Sequence, residues 1–275
     1  MLRTRVITAV VLLAVLVAVL LSKSNLLFTV VAAAFFAAAA WESFRLFGNR
    51  HPMIGAGIWT IAFLFVAYQG QADKSFILFA LCAAIWAVRL TPSLKIGLPP
   101  VDSLGNRLLN GIYGVAILGC FVAILALLQR SALYLLSVMA IVWIADIGAY
   151  FAGKAFGKRK LAPSISPGKS WEGAIGGWLA VLVIGALSTM VPALSDTFAA
   201  RVLASWGWAG YIPVMTLMVA ASIVGDLFES QLKRRASMKD SSNLLPGHGG
   251  VLDRIDALIP SLPLAVLLGG WLTSS

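Results

Sequence analysis

The stretch 108–129 reads LLNGIYGVAILGCFVAILALLQ, without one charged side chain. A helix needs about 20 mostly apolar residues to cross the hydrocarbon core of a bilayer. Inside that core only helices and closed barrels satisfy their backbone groups. Outward from it, comparable runs recur at roughly 5–21, 25–41, 53–69, 75–91, 131–153, 171–191, 208–228 and 255–272, separated by short polar joints. This pattern predicts an all-α fold, a polytopic transmembrane helix bundle of about nine spans. A composition 60% hydrophobic and only 12% charged agrees, since soluble domains carry about 25% charged residues. One soluble core leaves the long uncharged runs unexplained. Arg3 and Arg5 before the apolar run 6–21 resemble a signal peptide, but no small-x-small site follows in LSKSN. That run is read as a retained first span. The short joint 22–25 predicts a tight helical hairpin between the first two spans, or a partly re-entrant segment. The sixth span, ending in Gly and polar residues, is expected to be broken.

The charges orient these spans. Of 21 Lys and Arg, only Lys23, Lys74, Arg130 and Arg201 fall in one set of alternate loops; all the rest fall in the other. Positive charge favours the cytoplasmic side, which predicts a cytoplasmic N-terminus and an external or periplasmic C-terminus. A bacterial inner membrane suits so simple a topology. The net charge of +10 then reflects loops facing anionic lipid or an anionic substrate rather than nucleic acid. The longer polar loops, 154–170 and 229–254, both lie on the basic side. The expected division is therefore 1–107, N-terminal membrane spans, and 108–275, a catalytic membrane region with cytoplasmic loops. No stretch is long enough for a soluble domain, so chemistry belongs at helix ends or in a cytoplasm-facing polar cavity between spans. Cys82 and Cys120, both in apolar runs, read as small buried hydrophobes. Gly153 and Gly157 have the spacing of a close helix contact in lipid, or mark a turn.

Three acidic clusters interrupt this apolar chain: Asp146 in WIADIGAYFAG, Asp226 with Glu229 in SIVGDLFESQLKRR, and Asp253 with Asp256 in GHGGVLDRIDAL. Carboxylates in or beside a span are costly and have a partner or a task. A spacing of three puts Asp226 and Glu229 on one helix face, and Asp253 and Asp256 repeat it. Two such pairs facing each other can hold divalent cations, and hard carboxylate oxygens suit Mg²⁺ together with substrate phosphates. The alternative is salt bridging to Arg234, Arg235 or Arg254.

Basic and glycine-rich elements follow each cluster. Lys169 lies in SISPGKSWEG among turn and N-cap residues, Ser166, Pro167, Gly168 and Ser170, just before a helix. A helix N-terminus with a nearby lysine suits an anion; the glycine spacing of a Walker A loop is absent. Lys158, Arg159 and Lys160 read mainly as anchors to lipid headgroups. Lys233, Arg234 and Lys239 follow the second cluster. Gly249 and Gly250, before Asp253, let backbone approach a phosphate. His248 reads as a hydrogen-bonding neighbour, and two distant histidines without a partner cysteine give no support to a zinc site.

The stretch SQLKRRASMKDSSNLLPGHGGVLDRID, 230–256, resembles the signature of the phosphatidate cytidylyltransferase (CDP-diacylglycerol synthase) family. It carries the fixed positions Ser230, Lys233, Arg234, Lys239, Asp240, Pro246, His248, Gly249, Gly250, Asp253, Arg254 and Asp256. DIGAYFAGKAFGK from Asp146 and ISPGKSWEG from Ile165 look like the same family, so the resemblance covers about 146–256. Ile147 stands where the family often has Thr, and Gly168 where it often has Lys or Arg.

The resemblance implies that CTP and phosphatidic acid react to give CDP-diacylglycerol and pyrophosphate. It also implies dependence on Mg²⁺ with room for a second cation, a cytoplasm-facing cavity in contact with membrane lipids, and a homodimer. By similarity, Asp226 and Asp253 lead as metal ligands and catalytic residues, followed by Asp256, with Asp146 as a further metal candidate and Lys239 as a catalytic cation. Substrate contacts fall to Ser166, Lys169, Ser170, Lys233, Arg234, Asp240, His248, Gly249, Gly250 and Arg254. Two other classes compete. A different lipid-phosphate enzyme, such as a CTP-dependent lipid kinase, also needs carboxylates at a membrane face. An anion transporter fits the basic loops but not the paired aspartates.

Overall fold

The computed structural model describes residues 2–70, 72 and 75–272. Lys74 of the charge comparison, and the side chains of Arg3 and Arg5, lie outside what is described. Helices dominate. In chain order they are α1 (Leu2–Leu21), α2 (Asn25–Leu46), α3 (Pro52–Tyr68), α4 (Phe76–Ile85), α5 (Thr91–Ile96), α6 (Leu104–Arg130), α7 (Ala132–Phe156), α8 (Trp171–Ser188), α9 (Phe198–Arg235), α10 (Leu252–Ile255) and α11 (Leu258–Trp271). A π-helical turn, Trp86–Leu90, joins α4 to α5. Among the described residues, six helices are long and apolar enough to cross a membrane. Large apolar side chains such as Ile7, Ile58, Phe65, Ile77 and Val88 face outward. This is the surface of a polytopic helix bundle whose solvent is lipid.

Helix packing in lipid rests on close contact rather than on escape from water. Phe36 of α2 stacks on Phe63 of α3 with ring centroids 5.1 Å apart, and Phe121 of α6 meets Phe36 edge-on at 5.3 Å. Tyr113 of α6 lies 4.9 Å from Phe228 of α9. Cys82 and Cys120 are free and buried, as expected. α7 and α8 approach through small residues: a Cβ on Gly148 would lie 3.0 Å from the Cα of Gly177, and one on Gly173 2.8 Å from the Ala149 carbonyl oxygen. Gly153 belongs to this contact, and Gly157 caps the end of α7, so each reading of that glycine pair has a share.

The structure corrects several expectations. α7 runs unbroken through Asp146 to Phe156, because every residue there tolerates helix and Gly157 ends it. Gly207, with φ +58°, breaks the element Phe198–Arg235 at a kink, so the helix read as 208–228 starts where expected but runs on to Arg235. Polar residues do not end a helix by themselves, so the apolar run under-reports its length. The fold is not wholly α-helical either. Lys160–Ala162 (β1) pairs antiparallel with Ser166–Ser170 (β2), Lys160 opposite Ser170. Glu172 closes this ribbon by accepting from the backbone amides of Lys158 (3.1 Å) and Arg159 (3.2 Å).

Loops at one end of the bundle are tied together. Arg235 donates to the carbonyl of Pro99 (3.1 Å) and to Asn106 Oδ1 (2.8 Å), and Asn106 donates to the Phe47 and Val101 carbonyls. Gln231 reaches the Ser93 carbonyl at 3.0 Å, and Thr8 of α1 reaches the Pro246 carbonyl at 2.8 Å. At the far end of α6, Asp196 accepts from Ser131 (3.0 Å) and Arg201 (2.6 Å). These bonds hold its carboxyl below the usual range against the opposing effect of burial.

Candidate active site

A cavity of about 710 Å³ opens between α7, α8, α9, the β ribbon and the segment before α11. Each wall has a local reason. Ser170 caps α8, its hydroxyl accepting from Gly173 N at 3.1 Å. The cap fixes the end of β2, so Lys169 projects into the cavity. The long helix α9 presents Asp226, with Lys233 two turns on. α7 supplies Asp146, and the segment around α10 supplies Asp253, Arg254 and Asp256.

Lys169 Nζ lies 2.6 Å from Asp226 Oδ2. Ser230, one turn along α9, donates to Asp226 Oδ1 at 3.2 Å. Asp146 and Asp256 each lie close enough to Asp226 to be repelled by its charge, and Lys169 offsets both. Lys169 therefore stands among three carboxylates.

Asp253 is held differently. Its Oδ1 accepts from Lys233 at 2.6 Å, and its Oδ2 from Ser241 N (2.8 Å), Ser241 Oγ (2.8 Å) and Gly250 N (2.7 Å). Burial opposes its ionisation, but the Lys233 ammonium and the Gly250 and Ser241 donors prevail, and the carboxyl stays below the usual range. Lys233 also pairs with the fully buried Glu229 one turn back along α9.

The sequence-predicted residues divide accordingly. Asp146, Ser166, Lys169, Ser170, Asp226, Lys233, Asp240, Asp253, Arg254 and Asp256 all line the cavity. Arg234, Lys239, His248, Gly249 and Gly250 stand outside this lining. Arg234 Nε donates to the Ile165 carbonyl at 3.2 Å, tying α9 to the ribbon turn. Lys239 is exposed. His248 Nδ1 is buried without a hydrogen-bond partner among the described residues. Gly249 has φ +84°, and a Cβ there would lie 2.7 Å from Asp253 Oδ2. Gly250 leaves room for Ser241 and Glu42, whose atoms a Cβ would strike. In this structure both glycines pack the loop onto carboxylates.

Residues 3–271 match a model described as the cytidylyltransferase family. The chain belongs to the cytidylyltransferase family. Among similar proteins, a phosphatidate cytidylyltransferase of Pseudomonas aeruginosa is 40% identical over 98% of this chain and 99% of its own length. One of Haemophilus influenzae is 34% identical, covering 96% of each chain. One of Bacillus subtilis is 38% identical over 61% of this chain and 58% of its own.

For this cytidylyltransferase-family chain, Mg²⁺ is the cofactor to fit. Among the described residues no three carboxylate, histidine or cysteine side chains converge as a ready metal cage. The donor chemistry nevertheless suits the ion: several hard carboxylates line one polar cavity. Mg²⁺ commonly takes one or two protein carboxylates and completes its shell with water and substrate phosphate. Sequence reasoning missed Glu42, the acid that ends the apolar run AAAAWE of α2. The carboxylate beside a span was its signal. Lys154 and Tyr150, which line the cavity, were missed as site residues as well.

Proposed function

We propose that this chain is an integral membrane phosphatidate cytidylyltransferase, transferring the cytidylyl group of CTP to phosphatidic acid and releasing pyrophosphate. The observation that supports its site is the gathering of Asp146, Asp226 and Asp256 around Lys169 in one polar cavity within a lipid-facing bundle. The reaction is an in-line displacement. An oxygen of the lipid phosphate attacks the α-phosphorus of CTP, and the bond to the β-phosphate oxygen breaks with its electron pair leaving on pyrophosphate. A phosphomonoester is already anionic near neutral pH, so no strong general base is needed. The obstacle is bringing two polyanions together, and preorganised cations remove it.

In this reading Asp226 and Asp253, the latter through the oxygen that faces Lys233, would be the leading Mg²⁺ ligands, with Asp256 and Asp146 as further carboxylates of the same cavity. The bound ion supplies charge neutralisation at the phosphates. Lys169 has two partners to choose from, Asp226 or an incoming phosphate, and releases the carboxylate when it takes the phosphate. Lys233, fixed between Glu229 and Asp253, is a standing positive charge, and Arg254 offers a second at the cavity. Ser166, Ser170 and Asp240 border the same space, and Gly249 and Gly250 support it from outside by packing their loop onto Asp253 and Glu42. Lys239, Arg234 and His248 support from outside it. A second cation beside Mg²⁺ belongs to the same carboxylate set.

The finer topology is also proposed: nine spans, a cytoplasmic N-terminus, an external C-terminus and a cavity opening to the cytoplasm. Tethers among loops 47–51, 97–103, 157–170 and 236–251 support it, since alternate loops then gather at one end. The division at 107/108 and a homodimer rest on sequence pattern and resemblance.

The test supplies purified protein in nanodiscs with phosphatidic acid, Mg²⁺ and α-labelled CTP. Label in lipid with pyrophosphate in solution, both lost on chelation, is the expected result. Labelled CDP released beside a newly phosphorylated lipid overturns it in favour of a kinase.

A further inference from the structure

Glu42, near the end of α2, is a fully buried acid outside the cavity. Its Oε1 accepts from Val251 N at 3.1 Å and from Ser242 Oγ. Its Oε2 accepts from Leu252 N at 2.6 Å and lies 3.2 Å from Ser241 Oγ. That same hydroxyl is 2.8 Å from Asp253 Oδ2. A serine has one hydroxyl proton, so Ser241 serves one of the two carboxylates at a time and joins them. Arg45, on the next turn of α2, donates to the Ser241 carbonyl. Gly250 lies so close that any Cβ would strike the Glu42 carboxyl.

Burying a carboxylate is costly, and the cost is met only where several donors converge. Here the donors are two consecutive backbone amides and serine hydroxyls, from the segment between α9 and α10 and the first residue of α10. An apolar side chain at 42 leaves those amides unpaired, and an amide side chain turns an N–H toward some of them. None of these groups lines the cavity, yet the segment they hold ends on Asp253, Arg254 and Asp256, which do.

We propose that Glu42 is a positioning residue for cytidylyl transfer. From the N-terminal spans it clamps the segment 241–252 onto α2, and through Ser241 it sets the oxygen of Asp253 that Lys233 does not hold. This rests on the catalytic reading above. Misplacing reacting groups by a fraction of an ångström lowers the rate of the chemical step more than it weakens ground-state binding.

The experiment compares wild type, Glu42→Gln, Glu42→Asp and Ser241→Ala as full-length proteins in nanodiscs. It measures kcat and KM for CTP by pyrophosphate release, and hydrogen exchange across 241–253. For Glu42→Gln the expected result is a kcat lowered about tenfold or more, KM for CTP within about threefold of wild type, and faster exchange in the segment. Glu42→Asp recovers part of the kcat. A folded Glu42→Gln protein with wild-type kcat overturns the proposal, as does a lost kcat with unchanged exchange. If Glu42→Gln does not fold, Ser241→Ala decides: lowered kcat with little change in KM supports the clamp, and wild-type kcat overturns it. Inactive wild-type protein overturns the catalytic reading instead, while exchange in the segment still reports on the clamp.

Discussion

Lys169 on β2 and Asp226 on α9 meet at 2.6 Å, and this pair joins the capped ribbon to the longest helix. In the proposed reaction it also puts a cation where the anionic substrate arrives. On that reading Lys169→Met is expected to remove a phosphate contact while the fold, held by Ser170 and Glu172, persists. The expected loss in kcat/KM for CTP is about 10²-fold, on the scale of removing one electrostatic donor from an active site. Pyrophosphate release over a CTP series checks it, and a variant within threefold of wild type excludes the role.

Asp226→Asn is expected to lower turnover by about 10³-fold and to raise the Mg²⁺ concentration needed for half-maximal rate. Membrane insertion and the thermal midpoint should change little, because among the described residues Asp226 is bonded only to Lys169 and Ser230. A Mg²⁺ titration of the residual rate is the measurement, and an unchanged midpoint of that titration argues against ligation.

Asp253→Asn differs because its carboxylate accepts four hydrogen bonds within the protein. Turnover should be lost and the thermal midpoint lowered together, with insertion retained. Normal activity in the purified variant rules out Asp253 as a metal ligand. The pH dependence carries a sign. The folded carboxyl lies below its unfolded value of about 3.9, so its stabilisation is complete above that pH. It is lost as pH falls through the folded value. The gap in thermal midpoint between wild type and Asp253→Asn should be constant at pH 5–7 and close below about pH 4. A gap independent of pH contradicts the assignment.

Gly250→Ala should destabilise the protein by about 1–3 kcal/mol, because the added methyl meets Ser241 and Glu42 in a packed site. Gly168→Ala is the control, with open space around its Cβ and ordinary backbone angles. Equal thermal midpoints for the two variants would contradict this packing.

The sequence made the bundle readable because lipid imposes one rule on every span: about 20 apolar residues with internal hydrogen bonds. It made most of the cavity readable because Asp146, Asp226, Asp253 and Asp256 are acids in apolar surroundings. The ribbon 160–170 escaped notice since its pairing depends on Glu172 reaching back to Lys158 and Arg159, a contact no local pattern announces. Glu42 escaped for a similar reason. Its partners lie about 200 residues away, and the span it ends was drawn to stop at residue 41.

One consequence follows from the length of α9. Asp226, Ser230, Lys233 and Arg234 ride on a single helix that continues to Arg235, so their separations are set by a rise of about 1.5 Å per residue. Opposite them, Asp240, Asp253 and Arg254 belong to a loop and a helix of four residues, Leu252–Ile255. The spacing on one side of the site is thus set by a single helix, and on the other by a chain segment whose position depends on what Glu42 of α2 holds.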